Sequence, residues 1–146
     1  MQGIRRQGRS FALQLLFQID ITGDSGTASL ERFWLTVDAS QKARAFAMQL
    51  ARAVIKHQAE IDRILTANLE NWKLSRLSVV VRNILRLAVC ELLVLRLNPP
   101  PIVINEAVEL TYSFMDEESA PFVNSVLERC RLAEESAATA APPPAP

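Results

Sequence analysis

Three arginines near the N-terminus are the side chains of this sequence best suited to bind another molecule. Arg5, Arg6 and Arg9 lie close together, and residues 1–19 contain no acidic side chain, although the formal net charge of the whole chain is zero. Positive charge near a chain end can reach phosphate groups, while an aromatic side chain elsewhere stacks on an unpaired base. The cluster therefore predicts RNA binding, with an ordinary solvated chain start as the alternative.

Acidic side chains form a second group, between residues 106 and 118. Glu106 and Glu109 are followed by the run Asp116, Glu117 and Glu118. Such carboxylates are able to bind a cation or to act as general acid and base. A solvated acidic surface is the commoner use of these residues, and it is the one that we expect.

Other kinds of chemistry are poorly represented. The sequence has no glycine-rich phosphate-binding loop and no CxxC pair, and His57 is its single histidine. Histidine-based triads, zinc sites and phosphate-loop enzymes are therefore poor interpretations. We expect no metal site and no cofactor.

The cysteines and the N-terminal residues bear on the compartment. Cys90 and Cys130 are too few for a disulfide framework, so we expect two buried small hydrophobic side chains in a reducing cytoplasm. The N-terminal residues MQGIRRQGRS are not followed by a signal-type apolar core. No uncharged run reaches the roughly 18 residues that a membrane span requires. The sequence therefore predicts a cytoplasmic protein.

The elements that must position these residues are predicted to be helices. Residues 74–97 are apolar on nearly every side, which favours a central helix wrapped by others. Elsewhere, apolar residues recur at three- and four-residue steps, the period of a helix with one buried face. On this pattern Phe114 is expected to face inward. The other predicted helices span residues 7–20, 28–37, 41–57, 58–69, 102–115 and 120–133.

The C-terminal residues differ in composition from the rest. Residues 136–146 read SAATAAPPPAP, which offers nothing to bury. We therefore expect a helical domain over residues 1–135 and a disordered tail over residues 136–146.

The last third of the chain contains the string PPPIVINEAVELTYSF and, after a short acidic loop, SAPFVNSVL. Together these closely resemble the C-terminal signature of the NusB family of bacterial antitermination factors. Three further segments agree with the family in order and spacing. They are IRRQGRSFALQLLFQID, HQAEIDRILTANLENWKLSRL and NILRLAVCELL. The resemblance covers about residues 4 to 132.

This resemblance implies an all-α fold, a bundle of about seven helices in two small subdomains, without catalytic activity. Family members bind the boxA element of ribosomal RNA transcripts together with the ribosomal protein NusE, and so help RNA polymerase to resist termination. Some members also form homodimers. The partners implied for this chain are therefore boxA RNA, NusE and the antitermination complex of RNA polymerase.

The resemblance also assigns roles to individual residues. Arg5, Arg6 and Arg9 match the arginine-rich RNA-binding motif of the family. Glu118 and Phe122 match positions near the RNA, and Phe122 is predicted to stack on a base unless it is simply a core residue. The edge of the central helix at Arg76, Val81 and Arg82 is where the NusE partner is expected to approach.

Five positions depart from the usual family residues. Pro121 replaces a lysine, and Met115 and Ser125 each replace a glycine. Gln7 stands where the family often has arginine or lysine, and Val81 where it commonly has glutamate. Each lost phosphate contact lowers RNA affinity. Pro121, Gln7 and Val81 favour, as the alternative, a protein–protein scaffold that binds NusE or itself and has weak or lost RNA binding. A further alternative is the NusB-like domain that precedes some RNA methyltransferases.

Overall fold

Residues 3–140 are described by the computed structural model of the chain, and all regular elements in that range are helical. The main packing is between α1 and α3 and between α6 and α7, while α5 contacts helices of both pairs. This arrangement confirms the all-α fold class. The helices are α1 (Ile4–Thr22), α2 (Thr27–Leu35), α3 (Gln41–Lys56), α4 (Gln58–Asn68), α5 (Val79–Val89), α6 (Pro100–Phe114) and α7 (Ala120–Ala140).

The central helix is shorter than residues 74–97. It begins at Val79, where the Ser78 hydroxyl accepts a hydrogen bond from the backbone N–H of Val81 and caps the helix. The preceding Leu74–Arg76 forms a separate 3-10 turn. After Val89 the chain continues as a π-helical turn, Cys90–Leu95, and stops at Arg96, which has a left-handed backbone with φ 52°. Every residue from 83 to 92 is buried, as the apolar pattern predicted.

The last helix is longer than predicted. It continues past residue 133 to Ala140, because Arg131 pairs with Glu128 and Glu135 one turn away on each side and the following alanines favour a helix. Residues 136–140 of the expected tail are therefore helical. Residues 141–146 lie outside the described part of the chain, and their disorder stays a prediction.

Polar contacts at its two ends fix α1 against α5 and the π-helical turn that follows it. The Arg9 guanidinium of α1 donates to both carboxylate oxygens of Glu91, at 2.8 and 2.9 Å. The Asp20 carboxylate at the other end of α1 accepts hydrogen bonds from Arg82, Asn83 and Arg86 of α5. These contacts set the angle and position of α1 on the central helix.

The cysteines are buried, as expected. Burial raises the pKa of the Cys90 thiol to about 12 and that of Cys130 to about 11, so both remain protonated and unreactive near neutral pH. Between residues 3 and 140, no group of side chains suited to a metal ion occurs. In the same range, no helix combines the length and hydropathy that crossing a bilayer requires.

Candidate nucleic-acid and partner interface

A hollow lies where the chain before α5 meets the α6–α7 loop and the first turn of α7. It brings together four of the eight predicted site residues: Arg76, Val81, Glu118 and Phe122. The remaining lining residues are Trp72, Leu77, Ser78, Met115, Asp116 and Ser119. Two predicted groups, one for RNA and one for the partner, thus share a single surface feature.

Two aromatic side chains belong to this hollow. Phe122 is half-buried and packs partly against the core. That it stacks on a base stays a prediction. Trp72 is 58% exposed, and sequence reasoning missed it as a site residue. Its signal was an aromatic residue in the polar linker ENWKLSR, where no helical period gives it a core to enter. An exposed ring beside a half-buried one is a surface on which an unpaired base can stack.

The loop that carries Glu118 is held by hydrogen bonds at the start of α7. The Asp116 carboxylate accepts from the backbone N–H of Ser119 at 2.7 Å, and the N–H of Ala120 donates to the carbonyl of Glu117. Pro121 fits the first turn of α7 because the N–H that it lacks has no intrahelical partner there. Glu118 itself remains exposed at the rim.

The N-terminal edge of α5 differs from expectation. Val81 is only 5% exposed, so the prediction that it lies on an exposed edge is wrong; it forms the floor of the hollow. Arg82 is turned toward α1, where its Nε donates to Asp20 at 2.9 Å. Arg76 is exposed and makes no ion pair with the residues that the structure describes. Of the two arginines at this edge, Arg76 is the one that faces solvent.

The three N-terminal arginines lie outside the hollow, and their side chains have different environments. Arg5 is exposed and donates to the Asn98 side-chain oxygen at 2.6 Å. Arg6 donates twice to Glu106, at 3.0 and 2.9 Å, and that hydrogen-bonded carboxylate raises the pKa of Arg6.

Arg9 differs from the RNA-contact prediction, because it is only 3% exposed and pairs with Glu91. Glu91 is the single acid of the buried helix, and a cation is needed to compensate its charge there.

Close packing of α1 on α3 places an aromatic ring against two of these arginines. The guanidinium carbons of Arg5 and Arg9 lie 5.7 and 5.6 Å from the centroid of the Phe46 ring, within range of a cation–π contact. Gly8 permits this approach, since a Cβ atom there would come within 2.7 Å of the Phe46 ring. The first turns of α1 are therefore held rigidly on α3.

A second exposed surface is largely apolar and lies along α1, between it, the end of α2 and the last residue of α6. Phe17 and Ile21 of α1 are exposed, the latter at 60%, and Phe114 is exposed beside them. The prediction that Phe114 faces inward is therefore wrong: it sits in the last turn of α6, where the core ends. With Val80 these residues line one groove, which we call the α1–α6 strip.

The strip and the hollow are adjacent. Val80 lines the strip and Val81 lines the hollow, and the same division separates Phe114 from Met115. A molecule seated on the strip would thus border the hollow.

Comparison with known proteins gives a consistent result. The family model described as NusB family matches residues 6–131. The chain is 40% identical to the transcription antitermination protein NusB of Leptospira biflexa, over 85% of this chain and 89% of the relative. It is also 40% identical to that of Myxococcus xanthus, over 90% and 96%.

Solved structures agree with these sequence matches. NusB from T. maritima superimposes with a TM-score of 0.79 at 34% identity, covering 90% of this chain and 93% of that one. NusB from Aquifex aeolicus gives a TM-score of 0.83 at 29% identity, covering 97% of both chains. A structure of the antitermination factors NusB and NusE in complex with dsRNA gives a TM-score of 0.79 at 29% identity, covering 91% and 99%.

Proposed function

This chain belongs to the NusB family of transcription antitermination proteins, and we propose that it binds boxA-type RNA of ribosomal RNA transcripts together with the ribosomal protein NusE. It then acts within the antitermination complex of RNA polymerase, in the cytoplasm, and catalyses no reaction. The observation that carries the RNA part of this proposal is the hollow, where Trp72, Phe122 and Arg76 meet.

The hollow has the side chains that single-stranded RNA recognition uses. Unpaired bases stack on aromatic rings, and arginines neutralise the adjacent phosphates. Trp72 provides the more exposed ring and Phe122 the deeper one. Arg76 provides a cation that forms no ion pair with any described residue. The Glu118 carboxylate at the rim accepts hydrogen bonds from base amino groups or from ribose hydroxyls.

The N-terminal arginines divide their roles in this proposal. Arg5 and Arg6 contact phosphates, because both guanidinium groups reach the surface even though Arg6 shares its hydrogen bonds with Glu106. Arg9 stays in its buried pair with Glu91 and positions the other two. RNA affinity then depends on fewer free cations than the sequence motif suggests.

The NusE partner is proposed to dock on the α1–α6 strip. Exposed apolar side chains that form one groove are typical of protein–protein contacts, and Ile21, Phe17 and Phe114 supply them here. Of the predicted partner edge, Arg76 and Val81 line the adjacent hollow, and Arg82 pairs with Asp20 of α1. NusE seated there would extend the RNA surface.

A titration of labelled boxA RNA tests this function. We expect the parent protein with NusE to prefer boxA over a scrambled RNA of the same length. Trp72→Ala should weaken binding by roughly tenfold to a hundredfold, since stacking contributes about 1–3 kcal/mol per base. Tyr112→Ala is the matched control, because Tyr112 is another exposed aromatic residue but lies outside the hollow. Absence of any boxA preference with NusE present would refute the RNA function.

The second candidate function is a scaffold that binds NusE or a second copy of itself without recognising RNA. The specific observation in its favour is that Arg6 and Arg9 are both paired with carboxylates. Salt dependence separates the two candidates. Affinity for RNA through phosphate contacts falls steeply between low and physiological salt, whereas an apolar protein interface changes little.

A further inference from the structure

Helix α3 carries a row of basic side chains that the proposed boxA site does not use. Its sequence from Gln41 to Lys56 contains four cations and no acidic residue. Three of them, Arg44, Arg52 and Lys56, are spaced by eight and four residues, so they lie along one side of the helix. Over these twelve residues the row extends about 18 Å. We call these three side chains the α3 basic row.

The row lines a groove between α2 and α3 and is not neutralised there. Three cations face a single carboxylate, Glu31, among the lining residues. Within the part of the chain that the structure describes, none of the three forms an ion pair, in contrast to Arg6 and Arg9. The positive charge of this groove is therefore available to a ligand from solution.

The groove is suited to phosphates and unsuited to bases. Its aromatic residue, Trp34, is buried, and the Arg44 guanidinium carbon lies 5.4 Å from the centroid of its ring. A base therefore finds no free ring on which to stack, whereas guanidinium and ammonium groups bind phosphate oxygens of any sequence.

Helix α3 carries both this groove and the ring against which Arg5 packs. Phe11 of α1 contacts Trp34 with ring centroids 5.8 Å apart, and Arg44 covers the same tryptophan. Phe46, two residues farther along α3, carries Arg5 on its ring. From Arg44 the row follows α3 to its last residue, Lys56.

We propose that the α3 basic row is a second RNA surface, which binds phosphates of the strand flanking the boxA element without sequence preference. This inference rests on the proposed function, because that function supplies the RNA. It adds a role for α3: holding the transcript next to the element that the hollow recognises.

The experiment compares two RNAs with the full chain and NusE. One RNA is the boxA element alone, and the other carries an unstructured flank on each side. Arg52→Gln/Lys56→Gln removes two charges of the row and leaves Arg44 on Trp34. Arg63→Gln/Arg131→Gln is the matched control, since it removes the same formal charge from α4 and α7. Circular dichroism on all proteins confirms that they are folded.

We expect the flanks to strengthen binding by roughly tenfold in the parent and the control, and this gain to disappear in Arg52→Gln/Lys56→Gln. The slope of log affinity against log salt should become shallower by about 1.4 for the flanked RNA, at about 0.7 per single-strand phosphate contact. Affinity for the boxA element alone should not change.

An equal gain from the flanks in all three proteins overturns the inference. A parent protein that gains no affinity from the flanks overturns it as well, and the row then faces an acidic protein or solvent. If the parent protein does not prefer boxA over other RNA, the proposed function itself fails. Binding of an unrelated single-stranded RNA then tests the row directly. Equal affinity of the two double variants for that RNA overturns the role of the row.

Discussion

The Arg9 guanidinium of α1 forms two hydrogen bonds to Glu91 in the π-helical turn that follows α5, and both side chains are almost fully buried. A pair of this kind adds little net stability over apolar residues of similar size, because both charges lose their hydration. It does determine position, since neither charge can move without leaving the other unpaired. Arg9 thereby fixes the turn of α1 from which Arg5 and Arg6 reach the surface.

Replacing Arg9 alone should therefore destabilise the protein more than replacing a solvated arginine of the same motif would. We expect Arg9→Met to lower the free energy of unfolding by about 3–5 kcal/mol, because Glu91 is left as an uncompensated buried charge. The double variant Arg9→Met/Glu91→Leu should recover most of this loss. Urea denaturation measures both effects, and Arg5→Gln, with an expected change within about 0.5 kcal/mol, is the control. Equal stability of Arg9→Met and the parent would contradict the positioning role.

The environments of the three arginines could not be read from their spacing. Arg5 and Arg9 are one turn apart on α1 and both contact Phe46, but Arg9 is one turn deeper, where Glu91 of a helix 82 residues away meets it. The sequence showed a cluster of cations without showing which of them had an internal partner. For Trp72 the sequence was more informative, because an aromatic residue in a polar linker has no periodic core position to fill.

At the level of the helices, Asp20 is the point where α1 and α5 are joined. One oxygen of its carboxylate accepts from Arg82, Asn83 and Arg86 at 2.9 to 3.0 Å, and Arg86 continues the network to Asp62 of α4. Burial would by itself raise the pKa of Asp20. The hydrogen bonds from Arg82 and Asn83 and the charges of Arg82 and Arg86 outweigh burial, so the pKa is lowered.

This lowered pKa predicts the pH dependence of stability. A carboxyl group whose pKa is lower in the folded state stabilises the protein above its unfolded-state pKa and loses that contribution as pH falls through the folded-state value. We expect Asp20→Asn to cost about 1–3 kcal/mol at pH 7, and the difference from the parent to shrink between pH 5 and pH 3. Urea denaturation at pH 7, 5 and 3 measures it, with Asp38→Asn in an exposed position as control. A difference that stays constant with pH would contradict this account.

The helices themselves were predictable, and some of their ends were not. Apolar residues at helical spacing placed α1 to α4 and α6 to within a few residues, and they placed the start of α7 but not its end. Around α5 the sequence is apolar throughout, so the pattern could not show that Leu74–Arg76 turns separately or that the helix widens at Cys90–Leu95. Those boundaries depend on the Ser78 cap and on the left-handed backbone of Arg96, which are local contacts without a period.

For the molecule as a whole, a net charge of zero conceals a separation of charged surfaces. Carboxylates inside and between helices neutralise Arg6, Arg9, Arg82 and Arg86. The cations that remain unpaired within residues 3–140 include Arg76 at the hollow and the whole α3 basic row. The α1–α6 strip differs from the hollow and from the α3 basic row, because no charged side chain lines it. RNA and protein partners should therefore respond to different perturbations.

The α1–α6 strip provides the test of that separation. We expect Phe17→Gln/Ile21→Gln to weaken NusE binding by roughly a hundredfold, since two exposed apolar contacts at the centre of an interface contribute about 1–3 kcal/mol each. Leu35→Gln is the matched control, because Leu35 is highly exposed but lies outside the strip. Isothermal titration at low and physiological salt should give the same loss of NusE affinity, because apolar burial is not screened.

Sedimentation of the parent and the variant shows whether a second copy of the chain uses the same surface. If it does, the parent self-associates and the variant is monomeric. Unchanged NusE affinity in Phe17→Gln/Ile21→Gln would show that NusE docks on another surface of this chain.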